Sequence, residues 1–279
     1  MRIAICLYGT SKTVDTRGIS IDWRHSYKNF VNFVVNKNYK FDVFIHTWSV
    51  AEEKDLKKYY KPKKILVEKS IFPNYFHNLD SNEFKDTGHY EPETKIQATY
   101  SRWDSECKCI DLKKQYELEN NFVYDFVLSR RFDLLFYNNF IFEKLNKENF
   151  YTSNWHLFWK EKTKYFGYND PWFLGGSKII DKHANLYKNL NIYLKKDSEY
   201  FKYITEFLKM KKDEGISSHA LSRYNLIYQN LISKERFLGE EYTTWNLTRK
   251  SHIRKNPHWK CPWPVTEPHC IIDDKINSF

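Results

Sequence analysis

The sequence predicts an α/β fold: a mostly parallel central sheet flanked by helices, with an elaborated helical C-terminal half. Three observations predict it. Short apolar runs alternate with helical periodicity across the N-terminal quarter of the chain, which marks a β-α-β-α-β order and a doubly wound sheet. The run Phe122–Leu128 (FVYDFVL) carries apolar residues on both of its parities, as in a parallel strand buried on both faces. Only eight glycines and eight prolines occur in 279 residues, too few turn formers for an all-β sandwich.

Ile3–Tyr8 is an apolar strand closed by Gly9, and a polar loop follows to Ser20. Trp23, Tyr27, Phe30, Val31 and Val34 recur at helical spacing and predict an amphipathic helix over Trp23–Val35. Phe41–Thr47 (FDVFIHT) reads as a second strand, Ala51–Tyr60 as a helix, and Ile65–Glu68, after the turn at Pro62, as a third strand. A loop rich in Asn, Asp and Pro spans about Pro73–Pro92. Thr94–Asn120 has few breakers and predicts one long helix leading into the strand at Phe122. Short strands are expected at Phe150–Thr152, Leu157–Trp159 and Pro171–Leu174. Ser177 is a fair N-cap for a helix through Leu190, and helices are expected over Glu199–Met210 and Ser217–Leu231. No internal repeat or low-complexity linker interrupts the chain.

The net charge of +10 favours phosphate-bearing partners such as nucleotides, nucleic acid or an anionic membrane face. Five cysteines without a regular framework suit a reducing compartment. The opening MRIAICLYG has too short an apolar run for a signal peptide, and no stretch approaches the length of a membrane-spanning helix. A cytoplasmic protein, or one peripheral at a cytosolic membrane face, is expected.

Three places carry residues suited to chemistry. In the first, Gly9 ends a strand and is followed by Thr10, Ser11 and Lys12, with Arg17 further on. A glycine there lets backbone approach a ligand, and a nearby cation meets phosphate. The pattern is neither a GxGxxG fingerprint nor a P-loop. The second is Arg130, Arg131 and Asp133, set directly at the end of an apolar strand, where open α/β folds bind ligands. Arg131 and Asp133 lie two apart and share a side in extended backbone. They suit an anionic ligand with or without a metal, or else a structural ion pair closing the strand. In the third, Asn169-Asp170-Pro171-Trp172 precedes Gly175-Gly176. Pro171 keeps Asp170 out of helical geometry, Trp172 offers a flat face for a sugar ring, and the glycine pair allows close approach. Asp170 is then a candidate general base for an acceptor hydroxyl, or simply part of a turn before a core strand.

In this order, RIAICLYG with an arginine in the following loop, FDVFIHTW, Arg131-Phe132-Asp133 and Asp170–Gly175 resemble glycosyltransferases of the GT-A (Rossmann-like) fold. The similarity is to small bacterial and large-virus enzymes that decorate surface glycans, and it covers roughly residues 1–180. The resemblance implies a single GT-A-like domain over 1–279, with a nucleotide-binding half at 1–140 and an acceptor-binding half and tail at 141–279. It implies transfer of a sugar from a nucleotide-sugar donor, UDP-linked by family frequency, to a glycan or other hydroxyl acceptor, as in polysaccharide biosynthesis. Gly9, Thr10, Arg17, Arg130, Arg131 and Asp133 would then hold the donor, and Asp170 would be catalytic, with Glu214 as a weaker substitute. The family's Asp-x-Asp motif binds Mn²⁺ or Mg²⁺; here Arg131 stands in the first position and only Asp133 matches. A C-terminal histidine, among His252, His258 and His269, would complete a metal site, and His269 is taken with Asp133.

Other classes remain open on the sequence. Lys57–Lys64 (KKYYKPKK) holds five lysines and two tyrosines, which suits a nucleic-acid binder or a solvated face. His258, Cys261, His269 and Cys270 lack the paired spacing of structural zinc sites. Asp213-Glu214 and Asp273-Asp274 are the carboxylate pairs a hydrolase reading would need.

Overall fold

A computed structural model describes residues 1–14, 20–34, 39–70, 92–154, 167–195, 197–207, 217–240 and 245–247. Along the chain these form β1 (Arg2–Gly9), β2 (Lys12–Val14), β3 (Ser20–Asp22), α1 (Trp23–Asn29), β4 (Lys40–Thr47), α2 (Glu53–Tyr60), β5 (Lys64–Val67) and α3 (Pro92–Glu119). They continue with β6 (Phe126–Arg131), β7 (Leu134–Phe136), β8 (Phe150–Asn154), β9 (Asn169–Gly175), α4 (Ser177–Ala184), α5 (Leu186–Tyr193), α6 (Glu199–Lys202), α7 (Ser218–Tyr228), β10 (Glu235–Glu240) and β11 (Trp245–Leu247).

Seven of these strands make one sheet in the order β10-β8-β9-β6-β1-β4-β5. β1 pairs in parallel with β4 and β6, β4 with β5, and β8 with β10. β9 runs antiparallel to both of its neighbours, β6 and β8. The α/β class and the mostly parallel sheet flanked by helices are therefore as the sequence predicts, and the arrangement is consistent with a GT-A-like fold. No helix among the described residues is long and apolar enough to cross a membrane.

Strand alternation sorts side chains into two cores. Ala4, Cys6, Tyr8, Val127 and Phe173 face Trp103 and Ile110 of α3 and the helices after β9. Ile3, Ile5, Leu7, Phe126, Leu128, Trp172 and Leu174 face Trp23 and Phe30 of the α1 region and Leu56 and Tyr60 of α2. α3 lies across β1, β4 and β5 and also touches α4 and α5. Its charged Lys113 is wholly buried, with Nζ 2.8 Å from Glu117, 2.5 Å from the Ser177 hydroxyl and 2.7 Å from Asp181.

Several expected elements differ in detail. The strand expected from Phe122 begins at Phe126. Asn121, in left-handed backbone (φ 51°), turns the chain after α3, a conformation Asn tolerates. The Phe122 N–H then returns to the Glu117 carbonyl and the Tyr124 N–H to the Glu117 carboxylate. As a result β6 extends through Arg130 and Arg131 instead of stopping before them. Gly176, not Ser177, is the N-cap of α4, and Asn185 divides the expected Ser177–Leu190 helix into α4 and α5. The Ser177 hydroxyl bonds Lys113 and Glu117 instead. Residues 208–210 of the helix expected over Glu199–Met210 and the strand expected at Leu157–Trp159 lie outside the described residues. From the tail, Trp245–Leu247 pairs antiparallel with β7.

Candidate functional site

Where β1 and β6 end side by side, with Tyr8 paired to Arg131, a cleft of about 370 Å³ opens. That lies within the range of small-molecule sites. Gly9, Thr10, Trp48, Arg102, Arg131, Asp133 and Asp170 are among the residues lining it, and Ser218 at the start of α7 also reaches it.

Arg130 and Arg131 are consecutive on β6 and so leave it on opposite faces. Arg131 turns toward the cleft and donates from Nε and Nη2 to the two Asp133 carboxylate oxygens at 2.9 and 2.7 Å. The Arg131 side chain is 23% exposed and the Asp133 side chain 2%. Burial opposes the Arg131 charge, yet Asp133, Asp170 and Tyr8 outweigh it and hold the pKa above its ordinary value. Arg130 is not a ligand-facing residue, contrary to expectation. It is 1% exposed and donates to the Leu134 and Arg131 carbonyls, between Phe30 and Phe136. Burial lowers its pKa to about 10.

The reversed direction of β9 brings its first residues beside the last residues of β6, and Asp170 joins the cleft by that route. Arg102 of α3 holds it: Nε donates to the Asp170 carboxylate at 2.9 Å and Nη2 to its carbonyl at 2.7 Å. The same guanidinium donates to the Tyr8 hydroxyl at 2.8 Å and to Glu106 at 2.7 Å. Glu106 in turn accepts from Ser129. His219 Nδ1 lies 3.6 Å from Asp170 and 2.6 Å from the Tyr168 carbonyl. Burial pushes the Asp170 pKa up, but His219, Arg102 and Arg131 prevail and leave it below the ordinary value. A carboxylate so stabilised is a weak proton acceptor and a good hydrogen-bond acceptor for hydroxyls.

Gly9 has φ 94°, and a Cβ placed there would meet nothing within 4 Å, so the backbone presents open space to the cleft. Its N–H donates to the buried Ser105 hydroxyl at 2.7 Å, and that hydroxyl lies 2.6 Å from His46 Nδ1. Burial lowers the His46 pKa to about 4. The ring is therefore neutral at pH 7; Ser105 donates to Nδ1, and Nε2 donates to Glu68 at 3.2 Å.

Two expectations for the Asp170–Gly176 stretch do not hold. Trp172 is buried against Phe136 and Phe140 on the far face of the sheet, unable to stack on a ligand. Gly175 and Gly176 sit at the end of β9 remote from Asp170. Added Cβ atoms there would strike the Asn149 and Lys147 carbonyls at 2.8 and 2.4 Å, so these glycines serve backbone packing. Arg17, His252, His258, His269 and both carboxylate pairs, Asp213-Glu214 and Asp273-Asp274, lie outside the described residues. In the lysine-rich stretch Lys57, Lys63 and Lys64 pair with Glu53, Asp42 and Glu119, and Tyr60 is buried while Tyr59 is half exposed.

Arg102, Tyr8 and Glu106 escaped the sequence reading. An Arg–Glu pair four apart on a helix resembles any solvated ion pair, and only burial distinguishes it. A divalent cation such as Mn²⁺ or Mg²⁺ takes hard oxygen ligands, carboxylates foremost. Both oxygens of Asp133 face Arg131, and Asp170 faces Arg102. Among the described residues no three His, Cys, Asp or Glu side chains gather to hold a metal. The described residues therefore do not fit the expected metal site.

No protein-family model and no curated protein matches the sequence. One similar solved structure is mouse xyloside xylosyltransferase 1 in its apo form, with a TM-score of 0.40 and 8% identity, covering 85% of this chain and 84% of that one. A likeness that low carries no argument about activity.

Proposed function

We propose that the protein is a glycosyltransferase, and more particularly one that uses a nucleotide-sugar donor. The supporting observation is the cleft itself, where a partly exposed guanidinium, a glycine edge and an ionised carboxylate converge at the carboxyl ends of adjacent parallel strands. Open α/β sheets bind ligands at this position. In this reading the donor's diphosphate lies against Arg131 and the Gly9–Thr10 edge. As the glycosidic bond to the diphosphate lengthens, negative charge grows on the leaving oxygen, and a preoriented guanidinium stabilises it without reorganising. Asp170, charged and fixed by Arg102, accepts hydrogen bonds from sugar or acceptor hydroxyls and orients them for attack. A UDP-linked donor and a glycan acceptor are part of the proposal.

A thermal-shift screen of nucleoside diphosphates and nucleotide sugars tests it. A ligand of the native state raises the melting temperature by mass action, with about 2.7 kcal/mol of stabilisation at a hundredfold excess over Kd. At least one nucleotide sugar should shift the wild type and fail to shift Arg131→Ala. Equal shifts in both proteins would remove the diphosphate from this cleft.

A further inference from the structure

We propose that Asp133 is a positioning residue for Arg131 and not a metal ligand, and that a nucleoside diphosphate binds this cleft without a divalent cation. The inference rests on the reading of the cleft as a diphosphate site.

The geometry supplies the argument. A guanidinium has five N–H groups in one plane. Asp133 takes two of them, Nε and one on Nη2, in a fork-to-fork pair at 2.9 and 2.7 Å. That pairing fixes the plane of the group, and planar bidentate geometry suits both carboxylate and phosphate. The remaining N–H groups lie on the opposite edge of the same plane. The exposures divide accordingly, with 2% for the Asp133 side chain and 23% for Arg131. Both residues line the cleft, but the carboxylate is almost wholly covered while the guanidinium beside it keeps exposed surface. A salt bridge serving only to close the strand gains nothing from presenting its cation to a ligand-sized space.

A metal would have to compete with this arrangement. To reach Asp133 it would have to displace a bidentate, charge-assisted pair whose carboxylate is almost wholly covered, leaving the guanidinium without its adjacent counter-charge. Breaking such a pair is strongly unfavourable. Asp170, the other carboxylate lining the cleft among the described residues, is held by Arg102. Both acids are thus committed to cations supplied by the protein. The cation that meets the ligand's anionic oxygens in this site is Arg131, and the role of Asp133 is to aim it.

The test uses uridine diphosphate as the probe and thermal shift of the full chain as the readout, in EDTA and in Mn²⁺. The expected result is an equal rise in melting temperature in both conditions. Asp133→Asn, which keeps size and shape, should weaken binding by about tenfold or more while the response stays independent of Mn²⁺. Arg131→Lys keeps the charge, loses the fork and should weaken binding comparably. A wild-type shift that needs Mn²⁺ overturns the inference and leaves the proposed function standing, and this arm requires no variant to fold. Unchanged affinity in both variants also overturns it, making the pair a strand closure only. Absence of any shift with nucleoside diphosphates or nucleotide sugars, in either condition, overturns the proposed function and the inference together.

Discussion

α3 carries charged side chains into two buried clusters, and the two differ in what surrounds them. At the cleft, Arg102 and Glu106 meet Asp170, Tyr8 and Ser129 beside the exposed edge of Arg131. Two to three turns further along, Lys113 and Glu117 meet Ser177 and Asp181, and Lys113 has no exposed surface. Both clusters satisfy the rule that buried charge must be paired. Only the first opens onto space large enough for a ligand, and it does so at the strand ends where backbone leaves the sheet. Charge in the interior therefore does not by itself mark a candidate site; of these two clusters, only the one facing the cleft at the strand ends is placed to meet a ligand.

The sharpest way to break this contrast is to remove Lys113. Lys113→Ala leaves the buried Glu117 and the partly exposed Asp181 without their cation and should lower unfolding free energy by about 3–5 kcal/mol, measured by urea denaturation. The folded fraction should keep the nucleotide response. A variant that stays stable but loses that response would show that the sealed cluster governs the cleft.

A smaller effect tests the border of the cleft. His46, pushed by burial to about 4 from 6.5, binds its proton more weakly folded than unfolded. Stability from this group is complete above pH 6.5 and declines as pH falls toward 4, because the unfolded chain takes up the proton first. The loss should reach roughly 3 kcal/mol, and His46→Gln should flatten that part of the stability–pH curve. An unchanged slope would mean that other groups carry it.

The smallest expected effect is at Arg130, whose Nη1 has no hydrogen-bond partner among the described residues. Arg130→Met removes a buried cation in favour of apolar packing and should change stability by about 1 kcal/mol or less. The nucleotide response should persist. Its loss would abolish the distinction drawn between the two adjacent arginines.

Much of the fold could be read from residue patterns because β1, β4 and β6 are built around short apolar runs and the helices between them are periodic. The start of β6 was harder: Phe122 and Tyr124 look like strand residues, yet they pack edge to face at 4.8 Å ahead of the strand. Gly9, Thr10, Arg131, Asp133 and Asp170 all line the cleft, since strand ends and strand breaks carry visible signals. Arg102 had none, as its role depends on how α3 crosses the sheet. The burial of Arg130 and Trp172 follows from strand parity, once the true start of β6 and the reversal of β9 are known.

The reversal of β9 has one more effect. A sheet running in a single direction recruits its binding groups only where strands finish. Here one strand contributes where it begins, so Asp170 and Arg131 share a cleft although 39 positions separate them in the sequence. Under the proposed function, the groups that meet donor and acceptor are thereby written in separate stretches of the chain, so that either stretch could change its preference while the other kept its own.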